Sequence, residues 1–145
     1  MANILVLDDK EMMRDSLQAT LSRAGHKVAA LERGAEALNR IREEPFDVIV
    51  SDLKMPQMDG LTFLDELRNI TTEIPVVMMT AYATISTAVE AMRKGAFDYI
   101  QKPFDADEIL LLIERALEHR HLLKENEAYR TSERDWRGGR AMIGR

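Results

Sequence analysis

Apolar residues fall along this chain in two alternating patterns. Five short runs are nearly continuous: NILVLD (3–8), KVAAL (27–31), DVIVSD (47–52), PVVMMT (75–80) and DYIQK (98–102). The first, third and fourth are built almost wholly of Val, Ile, Leu and Met, which suits strands covered on both faces. Between the runs the apolar residues recur at helical spacing. Met13, Leu17, Ala19, Leu21 and Ala24 form one broad face that Gly25 terminates. Ala37, Leu38 and Ile41 form a second ahead of Pro45, and Leu61, Phe63, Leu64 and Leu67 a third. Ile85, Ala88, Val89 and Met92 form a fourth, closed by Gly95. A fifth helix follows PFDADE, with Asp105 as N-cap and Glu108 three residues on. Its Ile109, Leu112, Ile113, Ala116 and Leu117 can cover a sheet, and Leu122 and Leu123 lie beyond that stretch.

Strand followed by helix, five times over, predicts an α/β fold. The sheet is parallel and doubly wound, with right-handed crossovers and helices on both faces. Five such units suit the strand order 2-1-3-4-5. Ligands of such sheets bind beyond the carboxyl ends of the strands, at the switch point between the first and third. The rhythm occupies residues 1–120. Residues 121–145 read as a helical extension and a polar linker containing TSERDWRGGR.

Composition narrows the possibilities. The 145 residues contain no cysteine, which excludes disulfides and Cys-based metal sites and fits a reducing cytoplasm. No stretch approaches the roughly 20 apolar residues of a membrane span, and MANILVLDDKE has no signal-peptide character. Residues 1–118 carry 13 Lys/Arg against 21 Asp/Glu, while residues 119–145 carry 7 against 4. The acidic body argues against nucleic-acid binding by this segment, and the short, mixed basic tail reads as a solvated linker.

The candidate chemistry stands where the strands end. Asp8 and Asp9 close the first strand, Asp52 the third, Thr80 the fourth and Lys102 the fifth. Taken singly, each is an ordinary cap or surface residue. Together they converge on one edge of the predicted sheet. Three unpartnered carboxylates there repel one another. Mg²⁺ relieves that repulsion, since it takes oxygen ligands and favours carboxylates together with phosphate oxygens. Glycines after the first strand, which a dinucleotide-binding turn requires, are absent from LDDKEM.

VLDDKE, DVIVSDLKMPQMDG, PVVMMTAY and GAFDYIQKPF, in this order and spacing, resemble the signature segments of the bacterial response-regulator receiver domain, the CheY-like family. The resemblance implies a phosphorylation-activated switch rather than an enzyme, fed by a sensor histidine kinase. It implies that Asp52 is the phosphoacceptor and that Asp8, Asp9, Asp52 and the backbone carbonyl of Lys54 hold Mg²⁺. Thr80 and Lys102 would bind the phosphoryl group, and Tyr99 would be the switch aromatic. A carboxylate can form an acyl phosphate, and phosphoryl transfer asks for charge neutralisation and alignment. Pro56 and Gly60 are expected to set the turns of the loop after Asp52. Lys102-Pro103 is a candidate cis peptide. Lys54 and Tyr82, two residues beyond Asp52 and Thr80, are expected to flank the path of a hydrolytic water.

The long last helix and AMIGR (141–145) add a resemblance to NtrC-type regulators of sigma-54-dependent transcription. That likeness implies a receiver and linker leading to a missing AAA+ domain, in a longer protein that binds DNA and sigma-54 RNA polymerase. A homodimer is expected through the fourth helix, fifth strand and fifth helix, with Ile109, Leu112, Ala116 and Leu123 at approximate a/d spacing. Two other classes compete. One is a Mg²⁺-dependent phosphohydrolase with an Asp nucleophile; the other is a degenerate receiver acting only as a dimerisation module.

Overall fold

The structure, a computed structural model, describes residues 2–81 and 84–136, with side-chain surroundings described through residue 122. Its elements alternate as the hydrophobic pattern requires: β1 (Asn3–Leu7), α1 (Glu11–Arg23), β2 (Lys27–Leu31), α2 (Gly34–Glu43), β3 (Val48–Asp52), α3 (Gly60–Ile70), β4 (Val76–Thr80), α4 (Ile85–Arg93), β5 (Asp98–Gln101) and α5 (Ala106–Trp136). The sheet is five-stranded, parallel and ordered β2-β1-β3-β4-β5. The strand order and fold class expected from the alternation are both present.

Period-two alternation divides the core between the two faces of the sheet. Ile4, Val6, Val48, Val50, Val77 and Met79 pack with Leu17, Leu21, Ile109, Ile113 and Ala116, on the side of α1 and α5. Leu5, Leu7, Ile49, Val76 and Met78 pack with Leu38, Phe63, Leu64 and Leu67, on the side of α2 and α3. Every residue of β3 and β4 is buried. These two strands are therefore the stiffest part of the frame.

The helix ends follow local chemistry. The Asp59 carboxylate caps α3 by accepting from the Thr62 N–H at 2.8 Å. Thr84 and Thr87 form a reciprocal capping box at α4. At α5 the Glu108 carboxylate reaches back to the Asp105 N–H at 2.9 Å. Gly95, just past α4, has φ of 101°, a conformation an L side chain resists. α5 runs unbroken past residue 120. Its 31 residues span about 46 Å, against about 17 Å for a five-residue strand.

Three apolar faces differ from the periodicity. Ala19 in α1 and Ala24 at its C-cap are exposed, and Leu17 and Leu21 carry the contact. In α5, Ile109 and Ala116 are buried on the sheet and so cannot line a dimer seam, whereas Leu111 and Leu122 face outward. The side chain of Leu123 lies outside the described residues. In α4 the reversal is largest. Ile85, Val89 and Met92 are 86%, 45% and 45% exposed, and Ala91 is the helix's one buried residue.

α4 is instead tied down at its C-terminal end. The Arg68 guanidinium donates to the Ile74 carbonyl at 2.9 Å and to the Gly95 carbonyl at 2.7 Å. Lys94 pairs with Asp65 at 2.9 Å.

Candidate functional site

The site lies at the carboxyl edge of the sheet, where the order reverses between β1 and β3. Leu7 is in register with Ser51, so Asp8 and Asp52 leave neighbouring strands at the same level. Thr80 is in register with Gln101, and the backbone N–H of Lys102 donates to the Thr80 carbonyl at 2.8 Å. Apolar strands thus carry four of the sequence-derived residues into one small volume.

Carboxylate oxygens of Asp8, Asp9 and Asp52 all lie within 4.8 Å of one another. Asp8 is fully buried and Asp52 nearly so. Lys102 Nζ sits between them, 3.0 Å from Asp8 Oδ2 and 3.3 Å from Asp52 Oδ1. The Lys102-Pro103 peptide is cis, as the sequence position led us to expect. The second oxygen of Asp8, Oδ1, accepts from the Lys10 N–H at 2.9 Å. Asp9 Oδ1 is buried with no hydrogen-bond partner. A buried anionic oxygen without a donor, inside a set of hard oxygen groups, fits a divalent cation such as Mg²⁺.

Thr80 is buried at the end of β4. Behind it lies a cavity of about 10 Å³ lined by Leu53, Met78, Thr80, Thr87, Ala88, Ala91 and Tyr99. Tyr99 forms one wall of that cavity yet stays 40% exposed. The Lys54 side chain is exposed, and its backbone N–H donates to the Asp52 carboxylate. Tyr82 lies outside the described residues.

The loop between β3 and α3 departs from expectation in one respect. Its left-handed residue is Gln57, with φ of 74°, not Gly60. Gly60 serves close approach instead. A Cβ there would stand 2.5 Å from the Asp52 carbonyl oxygen and 2.6 Å from the Met78 methyl. The Gly60 N–H donates to the Leu53 carbonyl at 2.7 Å, closing the loop against the strand.

Sequence reasoning passed over two groups that touch the site residues. The buried Ser51 hydroxyl donates to the Asp52 carbonyl at 3.0 Å. Arg14 Nη1 donates to the Asp8 carbonyl at 2.9 Å. Neither leaves a signal in periodicity, because each acts on backbone rather than on another side chain's charge.

A five-stranded sheet of this order, with acids at the switch point and Thr and Lys beside them, defines a class. The chain belongs to the response regulator receiver domain family, whose model matches residues 4–114. It is 43% identical over 122 residues to the regulatory protein AtoC of Escherichia coli (strain K12), a match covering 84% of this chain and 26% of AtoC. The chain thus spans about a quarter of that relative's length. Among solved structures it resembles NtrX from Brucella abortus, with a TM-score of 0.85, 38% identity, and coverage of 91% of this chain and 31% of NtrX. It also resembles the beryllofluoride-activated NtrC4 receiver domain dimer, with a TM-score of 0.79, 36% identity, and coverage of 83% and 99%. The fold and family are those of NtrC-like two-component response regulators, whose receivers are regulatory phosphoacceptor domains. Among the described residues no helix is long and apolar enough to cross a membrane.

The electrostatics of the cluster yield a measurable consequence. Burial pushes the Asp52 carboxyl above the ordinary range, and the Asp8 charge adds to it; Lys102 and the Lys54 N–H pull the other way. A carboxyl with a raised folded-state pKa holds its proton more tightly folded than unfolded. Its favourable contribution is present below the ordinary carboxylate pKa and is lost as pH rises through the raised value. Ionised Asp52 therefore costs stability at neutral pH. Asp52→Asn should melt several degrees above the parent near about pH 7 in metal-free buffer, and the gap should narrow near about pH 4. Thermal unfolding of both proteins at the two pH values checks this; a variant that melts at or below the parent at neutral pH contradicts it.

Proposed function

We propose that this chain is a phosphorylation-activated switch that accepts a phosphoryl group on Asp52 from a sensor histidine kinase. The observation that carries the reading is the convergence of Asp8, Asp9 and Asp52 around the ammonium of Lys102. An Asp52 carboxylate oxygen attacks phosphorus, the bond from phosphorus to the donor imidazole breaks, and an aspartyl phosphate forms. Asp8, Asp9, Asp52 and the Lys54 carbonyl are the groups that would hold Mg²⁺. When bound, that ion neutralises oxygens of the transferring group. Lys102 then moves from pairing carboxylates to pairing the phosphoryl group, which brings roughly −1.5 to −2 charges and three strong acceptors.

The output follows from what lies behind Thr80. Thr80 turns its hydroxyl to the phosphoryl group, and Tyr99 swings into the space behind β4. Both residues border the existing cavity, whose far wall is α4. The exposed Ile85, Val89, Met92, Tyr99 and Leu111 make the α4-β5-α5 face the surface that reads the change and forms a homodimer. We further propose that residues 1–120 are the receiver and 121–145 the helical extension and linker to a AAA+ domain of a longer cytoplasmic activator. That protein would bind DNA and sigma-54 RNA polymerase, and this segment would contact neither membrane nor DNA. Lys54 and Tyr82 are proposed to guard the path of the hydrolytic water.

Three measurements test these statements. With acetyl phosphate and Mg²⁺, intact mass should show one phosphoryl adduct per chain, absent without the metal and absent in Asp52→Asn; an unchanged adduct in the variant removes Asp52 from the role. Light scattering with beryllofluoride, a phosphoryl mimic, should show a dimer where the untreated protein is smaller. Ile85→Glu with Val89→Glu should abolish that response, and a dimer that survives both charges lies on another face. Phosphorylated Lys54→Asn with Tyr82→Glu should lose its phosphate about tenfold faster than the parent, since orienting the attacking water is a positioning effect of that order or larger. Equal decay rates mean these side chains do not guard the site.

A further inference from the structure

The turn that presents the acid pair has an unusual closure. α1 begins after Lys10, whose side chain makes no cap hydrogen bond. Two bonds accepted by Asp8 close the turn ahead of the helix instead. Asp8 Oδ1 accepts from the Lys10 N–H, and Arg14, one turn into the helix, reaches back to the Asp8 carbonyl. The Asp8 N–H is held by the Leu31 carbonyl at 3.1 Å, and Asp8 Oδ2 by Lys102. Asp8 is thereby fixed at four points. Asp9 is not fixed by its own carboxylate: Oδ1 is buried without a partner, and among the described residues no hydrogen bond holds its side chain. Its position is dictated by the residues on either side, both of which belong to the turn that Arg14 closes.

We infer that Arg14 is a positioning residue for the divalent-cation site, acting through the Asp8 backbone to hold the Asp9 carboxylate among the acids. The inference rests on the proposed Mg²⁺ reading and concerns a side chain outside the ligand set. It separates from a plain charge effect by sign. Arg14 carries positive charge toward a cation site, so by Coulomb repulsion alone its removal should tighten Mg²⁺ binding. A positioning role demands the opposite, because partners that orient metal ligands typically contribute about 10- to 100-fold in affinity.

The test is calorimetric titration of Mg²⁺ into the whole chain for the parent, Asp9→Asn, Arg14→Met and Arg14→Lys, with a thermal melt of each. The parent should bind and Asp9→Asn should not. Arg14→Met, which keeps bulk but neither charge nor donor, should bind about tenfold more weakly than the parent. Arg14→Lys, which keeps the charge and one donor, should fall between them at about threefold. Parent affinity or better in a folded Arg14→Met overturns the inference while leaving the metal site intact. If that variant fails to melt cooperatively, parent affinity in Arg14→Lys overturns it equally. A parent that takes up no Mg²⁺ overturns both this inference and the reading beneath it.

Discussion

One ammonium group stands among three carboxylates at the switch point of the sheet. Lys102 Nζ touches Asp8 at 3.0 Å and Asp52 at 3.3 Å, and Asp9 lies within the same cluster. At an effective dielectric of about 20, like charges about 4 Å apart repel by about 4 kcal/mol. Burial is the larger cause of the raised Asp52 carboxyl, and the Asp8 charge, which one shared lysine offsets only in part, adds to it. The arrangement persists because β3 and β4 are buried throughout and β1 has an apolar side chain seated on each face. A looser frame would let the acids separate. The site is therefore an unbalanced charge held by a stiff sheet, an arrangement whose oxygen groups suit a further cation.

The other side of Thr80 is built differently. α4 buries Ala91 and leaves its larger apolar residues in solvent, while Arg68 and Lys94 tie its C-terminal end to α3. The N-terminal half rests over the small cavity that Thr80 and Tyr99 border. Local stability follows buried apolar contact, so a helix with one buried residue belongs to the easily moved end of the structure. A displacement at Thr80 thus meets a space of about 10 Å³, about the size of one water, and a lightly seated helix beyond it. The stiff and the yielding halves meet at a single buried hydroxyl.

What could be read in advance divides along the same line. β1, β3 and β4 were legible because strands covered on both faces become apolar runs, and a polar residue ending such a run marks the edge. Asp8, Asp9, Asp52 and Thr80 were legible as the ends of such runs and Lys102 as the end of the fifth, topology brought them together, and the roles expected of them rest on the resemblance of the surrounding segments. The face of α4 was not legible, since helical spacing records which residues share a side and not whether anything covers it. Ala19 and Ala24 misled in the same way. Gly60 passed for a turn residue because sequence cannot show that a neighbouring carbonyl leaves no room for a Cβ. Arg14 and Ser51 act on backbone atoms, and a side chain's reach to a carbonyl six residues back has no periodic signature.

The last helix joins these two halves to whatever follows it. α5 packs Ile109, Ile113 and Ala116 on the same face of the sheet as α1, with Leu111 turned outward. Beyond residue 117 the contacts change character. His119 lies against Phe97 with ring centroids 5.2 Å apart, and Arg120 faces Asp47 at 3.9 Å, with buried guanidinium nitrogens that make no hydrogen bond. An ion pair at that distance, partly desolvated, contributes little beyond its own desolvation cost. The seating of α5 therefore depends on its apolar residues up to Ala116. The helix continues from that firm base to Trp136, so any tilt of α5 against β3 and β4 is enlarged along its length.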